Sequence, residues 1–168
     1  MISLEAERES PLWGAALRSE GSREHEPVFS ALAEARWALG LETIYEGYLL
    51  HYGHPRLFAP ADRDTALLLG DYLYAHGLVR ISEHDEVEAV SDLAELISLC
   101  AQLRAEQAEG DGVAWAATAA LLGRGALDEA RDALRTDGDA APLSELAQAV
   151  AGLDAVESAL AAHRLRVG

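Results

Sequence analysis

The sequence has only one cysteine, and it has no lysine and no asparagine among its 168 residues. A single cysteine, Cys100, cannot form an internal disulfide, and this is typical of proteins in a reducing compartment. We interpret Cys100 as a buried core residue rather than a reactive thiol. The first ten residues are charged and lack the apolar segment of a signal peptide. These features predict a cytoplasmic protein.

Long apolar runs and positive charge are also scarce. Half of the residues are hydrophobic, yet no uninterrupted apolar run approaches the roughly 18 residues that a membrane span needs. Against 29 acidic residues stand 13 basic ones, all arginine, which gives a formal net charge of −16. A surface this acidic repels phosphate backbones, so nucleic acid is excluded as a partner. The same charge repels anionic membranes, and it repels free diphosphates unless a metal ion intervenes.

Strand patterns are nearly absent, whereas helix signals recur along the whole chain. The sequence therefore predicts an all-α fold, a single domain (1–168) built as a bundle of about six or seven helices. Residues 1–26 are expected to form an N-terminal arm with a short helix, and residues 27–168 the bundle. The predicted helices span 11–19, 27–51, 60–80, 83–108, 112–122, 127–135 and 143–166.

Local signals define several helix ends. Gly53 and Pro55 are expected to end the second helix, because proline biases its predecessor away from the α region. Ser82 and Asp85 fit a variant of the capping box that opens the fourth helix. That helix carries apolar residues at i, i+3, i+4, i+7 and i+10, a stripe wide enough to pack against neighbouring helices: Leu93, Leu96, Ile97, Cys100 and Leu103.

Residues 42–75 contain three motifs in a fixed order. The segment reads ETIYEGYLLHYGHPRLFAPADRDTALLLGDYLYA. It resembles the stretch of trans-isoprenyl diphosphate synthases (polyprenyl synthetases) that runs DDxxD, four residues, RRGKPT, and then a helix bearing GDxLLA. On this resemblance Glu42 and Glu46 take the places of the first and last aspartates of DDxxD. Residues 51–56 take the place of RRGKPT, and Gly70 and Asp71 begin the GD motif.

The resemblance implies an isoprenoid-synthase-like fold and a set of site residues. In that family, magnesium held between two aspartate-rich motifs neutralises the diphosphate that leaves the allylic substrate. Glu42 and Glu46 would then be metal ligands, since carboxylates one helical turn apart can supply oxygens to Mg²⁺. The implied diphosphate-binding and structural positions are, respectively, His51, His54 and Arg56, and Gly53, Pro55, Gly70 and Asp71.

The sequence departs from the family pattern where the chemistry is most demanding. Thr43 replaces the second aspartate, His51 and Tyr52 replace the arginine pair, and His54 replaces the lysine. The second aspartate-rich motif is missing. Two glutamates and one arginine with nothing opposite them cannot neutralise a leaving diphosphate. The sequence therefore predicts a chain that does not catalyse prenyl transfer by itself.

Several of these residues have simpler interpretations. Glu42 and Glu46 can be solvated carboxylates on a helix face, and the His51–His54 pair, which also has zinc-like H-x-x-H spacing, can be structural or exposed. Asp71 lies in an apolar helix, so we expect it to be buried and paired with an arginine, a histidine or a backbone group. The aromatic residues at helical spacing are expected in the core, although two neighbours could instead wall a prenyl pocket: Tyr48 and Tyr52.

The sequence leaves three functions open. The first is a non-catalytic partner, either a homodimer or the small subunit of a synthase, joined through residues 62–107, with the apolar stripe of the fourth helix as one contact. The second is a shortened, magnesium-dependent prenyl diphosphate synthase that completes its site across a dimer. The third is an isoprenoid- or lipid-binding module whose cavity is lined by small residues: Ala116, Ala117, Ala119 and Ala120.

Overall fold

A computed structural model describes residues 1–84 and 86–167, and over these residues the fold is all-α, as predicted, with no β-strand. The described residues form nine α-helices, more than the six or seven expected. They are α1 (Ile2–Glu9), α2 (Pro11–Ala15), α3 (Ala38–Tyr52), α4 (Arg63–Ser82), α5 (Val87–Glu106), α6 (Asp111–Leu121), α7 (Asp128–Asp137), α8 (Ala141–Ala151) and α9 (Leu153–Val167).

The extra helices have local causes. The first eight residues after Met1 form α1, with Glu5 in its first turn and Arg8 in its last, a charge order that favours a helix. The predicted helix 143–166 is divided in two because Gly152 adopts the left-handed φ of +86° between α8 and α9. The helix predicted from residue 27 begins only at Ala38, and short 3₁₀ turns precede it.

Helices α3 and α4 pack at unusually short range through four glycines. Gly40 on α3 faces Gly77 on α4, and Gly47 faces Gly70. On each helix the two glycines are seven residues apart. A Cβ atom on Gly47 would lie 2.9 Å from the Gly70 carbonyl oxygen, and one on Gly70 would lie 3.2 Å from the Gly47 carbonyl oxygen. The two backbones therefore touch, and their antiparallel register is fixed by glycine.

The predicted stripe of α5 faces the interior. Leu93, Leu96, Cys100 and Leu103 are buried in the main core, and Ile97 is half-buried at its edge. Burial also raises the pKa of the Cys100 thiol, which agrees with a core role. Because its own bundle covers Leu93, Leu96, Cys100 and Leu103, these four residues are not available as the partner contact suggested from the sequence.

The N-terminal arm is packed onto the chain that follows α3. Apolar residues of α1 and α2 form a second, smaller core with residues from 57–58 and α4. The backbone N–H of Arg18 donates to the Leu57 carbonyl at 2.9 Å, and that of Ala59 donates to the Ala16 carbonyl at 2.7 Å. The arm therefore holds the turn after α3 in place, directly beside the motif segment.

The start of α5 differs from the predicted capping box. The Ser82 hydroxyl donates to the Val79 carbonyl at 2.7 Å and caps no helix, while α5 begins after Glu86. Asp85, the other half of the predicted capping box, lies outside the described residues.

Across the two described stretches, no helix combines the length and the apolar character that crossing a bilayer requires.

Candidate functional site

Glu42, Glu46 and Arg56 form one compact ion cluster. The two glutamates lie one turn apart on α3, and the turn at Gly53 brings Arg56 back against them. Arg56 Nη1 donates to Glu42 Oε2 at 2.6 Å, and its Nε donates to Glu46 Oε2 at 3.1 Å. Glu46 is fully buried and Arg56 nearly so. The pattern that suggested a metal site thus brings together two carboxylates and one cation that pairs with both.

The remaining carboxylate oxygens of this cluster are also occupied. Glu42 Oε1 accepts from the backbone N–H groups of Val28 and Ser30, both at 3.1 Å. Glu46 Oε1 accepts from the N–H of Leu57 at 2.7 Å. All four oxygens therefore accept a hydrogen bond from the chain itself. The cluster joins three segments: the loop before α3, α3, and the turn that follows it.

The electrostatics follow from burial and pairing. Burial raises the pKa of the Glu46 carboxyl, and the Arg56 charge opposes that shift. Burial alone would lower the pKa of Arg56, but the two carboxylates raise it. The guanidinium also donates through Nη1 to the Glu26 carbonyl at 2.9 Å. Its hydrogen bonds are thus directed at the protein, which leaves little of it to receive a diphosphate.

The donor set does not fit magnesium in this arrangement. Mg²⁺ requires near-octahedral oxygen coordination and usually keeps several waters, whereas these carboxylate oxygens already accept hydrogen bonds from the chain. Nowhere in residues 1–84 and 86–167 do three or more His, Cys, Asp or Glu side chains come together as a metal site would require. Metal binding at Glu42 and Glu46 remains a prediction that would need the cluster to open.

The two histidines of the motif segment lie in different environments. His51 is half-buried on α3, with its ring stacked on Tyr74 at a centroid distance of 5.1 Å, whereas His54 is exposed. His51 Nε2 lies 3.2 Å from Asp71 Oδ1 in a close contact without ideal hydrogen-bond alignment. Burial lowers the pKa of His51, against the effect of Asp71. The structure does not combine the two histidines into one binding group.

The expected burial of Asp71 is wrong, although its expected kind of partner is present. The Asp71 side chain is 71% exposed, because it lies on the outer side of α4. Its contact with His51 is nonetheless the histidine pairing anticipated from the sequence. At this distance it links α3 to α4 at the surface, where such a pair contributes about 0–1 kcal/mol.

Gly53, Pro55 and Gly70 all occupy positions that limit side-chain size or direct the chain. A Cβ on Gly53 would lie 2.7 Å from the Arg166 carbonyl, to which the next residue, His54, donates its N–H at 2.8 Å. The Pro55 carbonyl accepts from Arg18 Nε at 3.2 Å. A Cβ on Gly70 would meet the His51 ring at 2.6 Å. The turn after α3 is therefore clamped between the N-terminal arm and the C-terminal helix.

A polar network that the sequence did not reveal lies between α3, α5, α6 and α9. Asp111 accepts hydrogen bonds from the Tyr48 hydroxyl and from Arg104 Nη2, and its Oδ2 lies 3.4 Å from His163 Nε2. His163 Nδ1 lies 2.9 Å from the Tyr45 hydroxyl. Burial would raise the pKa of Asp111, but hydrogen bonds with His163 and Tyr48 and the nearby positive charges hold it well below its usual range.

A second unpredicted ion pair holds the other end of the bundle. Arg131 Nη1 lies 3.0 Å from Asp92 Oδ1, and both side chains are buried. Asp92 Oδ2 also accepts from the N–H of Gly123 at 2.8 Å, and Arg131 Nη2 donates to the Asp92 carbonyl at 3.0 Å. This pair fixes α5, the end of α6 and α7 together. The described hydrogen bonds of both side chains are directed at the protein itself, which indicates a structural role.

The aromatic and small residues proposed as cavity walls lie in the core. Tyr48 is buried and Tyr52 half-buried, and both pack against the main apolar cluster. The four alanines at 116, 117, 119 and 120 are buried on α6, which packs closely on α8. They permit close helix contact, and none of them lines a described cavity.

Comparison of the chain with protein-family models, with curated proteins and with solved structures gives no match. The likeness of residues 42–75 to the prenyl synthases therefore rests on the three motifs alone. What the fold and the site establish is a helical bundle in which the motif carboxylates are internally paired.

Proposed function

We propose that this chain is a non-catalytic, isoprenoid-synthase-like helical protein of the cytoplasm that acts as a structural or regulatory partner in isoprenoid biosynthesis. It works as a homodimer or as the small subunit of a prenyl synthase. The observation that carries the proposal is the closed cluster of Glu42, Glu46 and Arg56. Glu42 and Glu46, which the resemblance places at metal-ligand positions, here pair with Arg56 inside the protein.

The charge balance of that cluster supports the absence of catalysis. Ionising an allylic diphosphate requires positive charge aimed at the leaving group. Here Arg56, the one arginine among residues 51–56, is buried and directs its hydrogen bonds at Glu42, Glu46 and the Glu26 carbonyl. Replacing His54 of this chain by the family's lysine would add a charge at an exposed position, outside the cluster.

An uncharged outer face on α5 supports a role in assembly. We define the α5 outer face by residues that follow one another at spacings of one or three and are exposed or half-buried: Val87, Val90, Ser91, Ala94, Ile97, Ser98 and Ala101. Val87 alone is 81% exposed. Two copies of a chain with a net charge of −16 repel each other over most of their surfaces. A face without charge is where contact costs least.

The catalytic alternative makes a direct prediction. The purified chain, incubated with Mg²⁺, dimethylallyl diphosphate and isopentenyl diphosphate, is expected to yield no elongated product, because no free carboxylate pair can hold the metal. An active prenyl synthase assayed in parallel is the positive control. Thermal unfolding with MgCl₂ is expected to match unfolding in NaCl of equal ionic strength. Elongation at an enzyme-like rate would contradict the proposal and favour a shortened synthase.

The assembly role predicts a dimer that depends on α5. Light scattering coupled to size exclusion is expected to give twice the 18.0 kDa chain mass. Ala94→Arg, on the α5 outer face, is expected to shift the protein to monomer, because each dimer would bury two unpaired charges. Ala149→Arg, at an exposed position of α8, is the matched control and should remain dimeric. A wild-type monomer at every concentration would contradict the homodimer.

A further inference from the structure

A groove of about 620 Å³ lies between α7 and α8, which are joined by residues 138–140. The lining of this α7–α8 groove is mainly apolar: Ala126, Ala130, Pro142, Leu146 and Ala149. Ala130 is buried and Leu146 half-buried, whereas Ala126 and Ala149 are exposed. The groove therefore offers apolar surface that the bundle itself does not cover. It shares no lining residue with the ion cluster of the motif segment or with the α5 outer face.

The charge along the α7–α8 groove has one sign. Its charged lining residues are Glu129 of α7 and Glu145 of α8, and both are exposed. Helix α8 contains no basic residue. The two arginines of α7, Arg131 and Arg135, pair with carboxylates of α5. Within the described stretches of the chain, no ion pair involves Glu129 or Glu145, so each wall of the groove presents a carboxylate that no cation of the bundle neutralises.

The dimensions of the groove match a short helix. Helix α8 has 11 residues and is therefore about 16 Å long, which a partner helix of about three turns can follow. Amphipathic helices bind such grooves through apolar residues that repeat at helical spacing. Val150, four residues after Leu146, is 42% exposed and extends the apolar surface along α8. Burial of this surface would supply affinity, and the two carboxylates would select the charge of the partner.

We propose that the α7–α8 groove binds an amphipathic helix of another protein, one that carries lysine or arginine on both sides of its apolar stripe. The stripe packs on Leu146 and Ala149, and the basic side chains pair with Glu129 and Glu145. A second copy of this chain fits less well, because a net charge of −16 is repelled by an acidic face. The inference goes beyond the proposed function and depends neither on prenyl chemistry nor on the α5 outer face.

The test is fluorescence anisotropy of the full chain with a labelled synthetic peptide of about 14 residues, which has leucine at helical spacings of three and four and lysine elsewhere. Saturable binding is expected. Glu129→Gln combined with Glu145→Gln is expected to weaken it about fivefold, the equivalent of two exposed ion pairs. Ala149→Arg is expected to weaken it about tenfold or more, because the new side chain enters the groove and repels the lysines.

Two controls separate the groove from the general acidity of the chain. Glu7→Gln combined with Glu20→Gln removes the same charge from exposed positions of the N-terminal arm and should leave the affinity for the peptide unchanged. A peptide of the same composition, with its leucines distributed around the helix, should bind more weakly than the amphipathic one. Equal weakening by the two glutamate double variants, equal binding of the two peptides, or no saturable binding would overturn the proposal.

Light scattering of Ala149→Arg identifies the occupant of the groove. We expect the same mass as for the wild type, because the groove is not the contact between copies. A change from dimer to monomer would place a second copy in the groove and would contradict the proposal of a different partner. A wild-type chain that is monomeric, yet binds the amphipathic peptide as described, would contradict the homodimer and support the groove, so the two proposals fail separately.

Discussion

Replacing Arg56 with methionine is expected to lower the free energy of unfolding by about 3–5 kcal/mol, the typical cost of leaving a buried ion without its partner. Glu46 is fully buried, and Arg56 is the cation that neutralises it. Without the guanidinium, Glu46 must either keep an uncompensated charge or take up a proton. Methionine preserves much of the arginine stem, so the loss measures charge and hydrogen bonding more than volume.

The measurement is chemical denaturation of the wild type, Arg56→Met and the control Arg63→Met. Arg63 is exposed at the start of α4, so its replacement is expected to change stability by about 0.5 kcal/mol or less. Adding Glu42→Gln and Glu46→Gln to the Arg56→Met chain should recover part of the loss, because the orphaned charges are removed. A loss below about 1 kcal/mol for Arg56→Met would contradict the role given to the cluster.

The loss of stability caused by Arg56→Met should depend on pH. Burial raises the pKa of Glu46, and removal of Arg56 takes away the charge that opposed this shift. A carboxyl with a raised folded pKa contributes stability below its unfolded pKa of about 4.3 and loses it as the pH rises through the folded pKa. The deficit of Arg56→Met relative to wild type should therefore be smaller near pH 4 than near pH 8.

The part of this cluster that sequence reasoning reached is the spacing of Glu42 and Glu46, which correctly places both on one side of a helix. The contacts of Arg56 differ from the ligand contact that the resemblance implies. Its position in the motif implies contact with a ligand. Its positive charge and its place just after a turn, however, let it pair with both carboxylates. Carboxylates are almost never fully buried unless they are paired, and this rule favours an internal pairing with Arg56.

The network around Asp111 and His163 could not be found in the same way. Tyr45 and His163 are 118 residues apart in the chain, and no periodicity or motif connects them. Their meeting depends on how α9 folds back across α3 and α6, and that depends on the break at Gly152. Local patterns define helices well, but they do not define which helix ends meet.

The packing of glycines between α3 and α4 is another feature that the composition of the chain does not reveal. The GD motif implies a structural role for Gly70, whereas no motif marks Gly40, Gly47 or Gly77. A lone glycine in a helical pattern usually signals only a weaker helix. The informative signal is the repeat of seven on both helices, since it places two glycine pairs in one antiparallel contact.

Gly47→Ala tests that contact, because the expected change in stability is opposite in sign to the change that the same substitution causes in a free helix. In a free helix, alanine is more stable than glycine by about 1 kcal/mol. At position 47 the new Cβ would lie 2.9 Å from the Gly70 carbonyl oxygen and 3.1 Å from Tyr74 Cδ1. A backbone oxygen cannot rotate away, so α3 and α4 must separate. We expect a net loss of about 1–3 kcal/mol, as is typical of an overpacked core.

The matched control is Gly14→Ala in α2, where the nearest atom to the added Cβ is Glu7 Cγ at 3.5 Å, an ordinary contact. This variant should be neutral or slightly stabilising, because only the helix preference and the lower entropy of the unfolded chain act there. Urea unfolding of both variants in one buffer measures the difference. Equal stability changes at positions 14 and 47 would mean that α3 and α4 can move apart freely, and the close backbone contact would then not define the bundle.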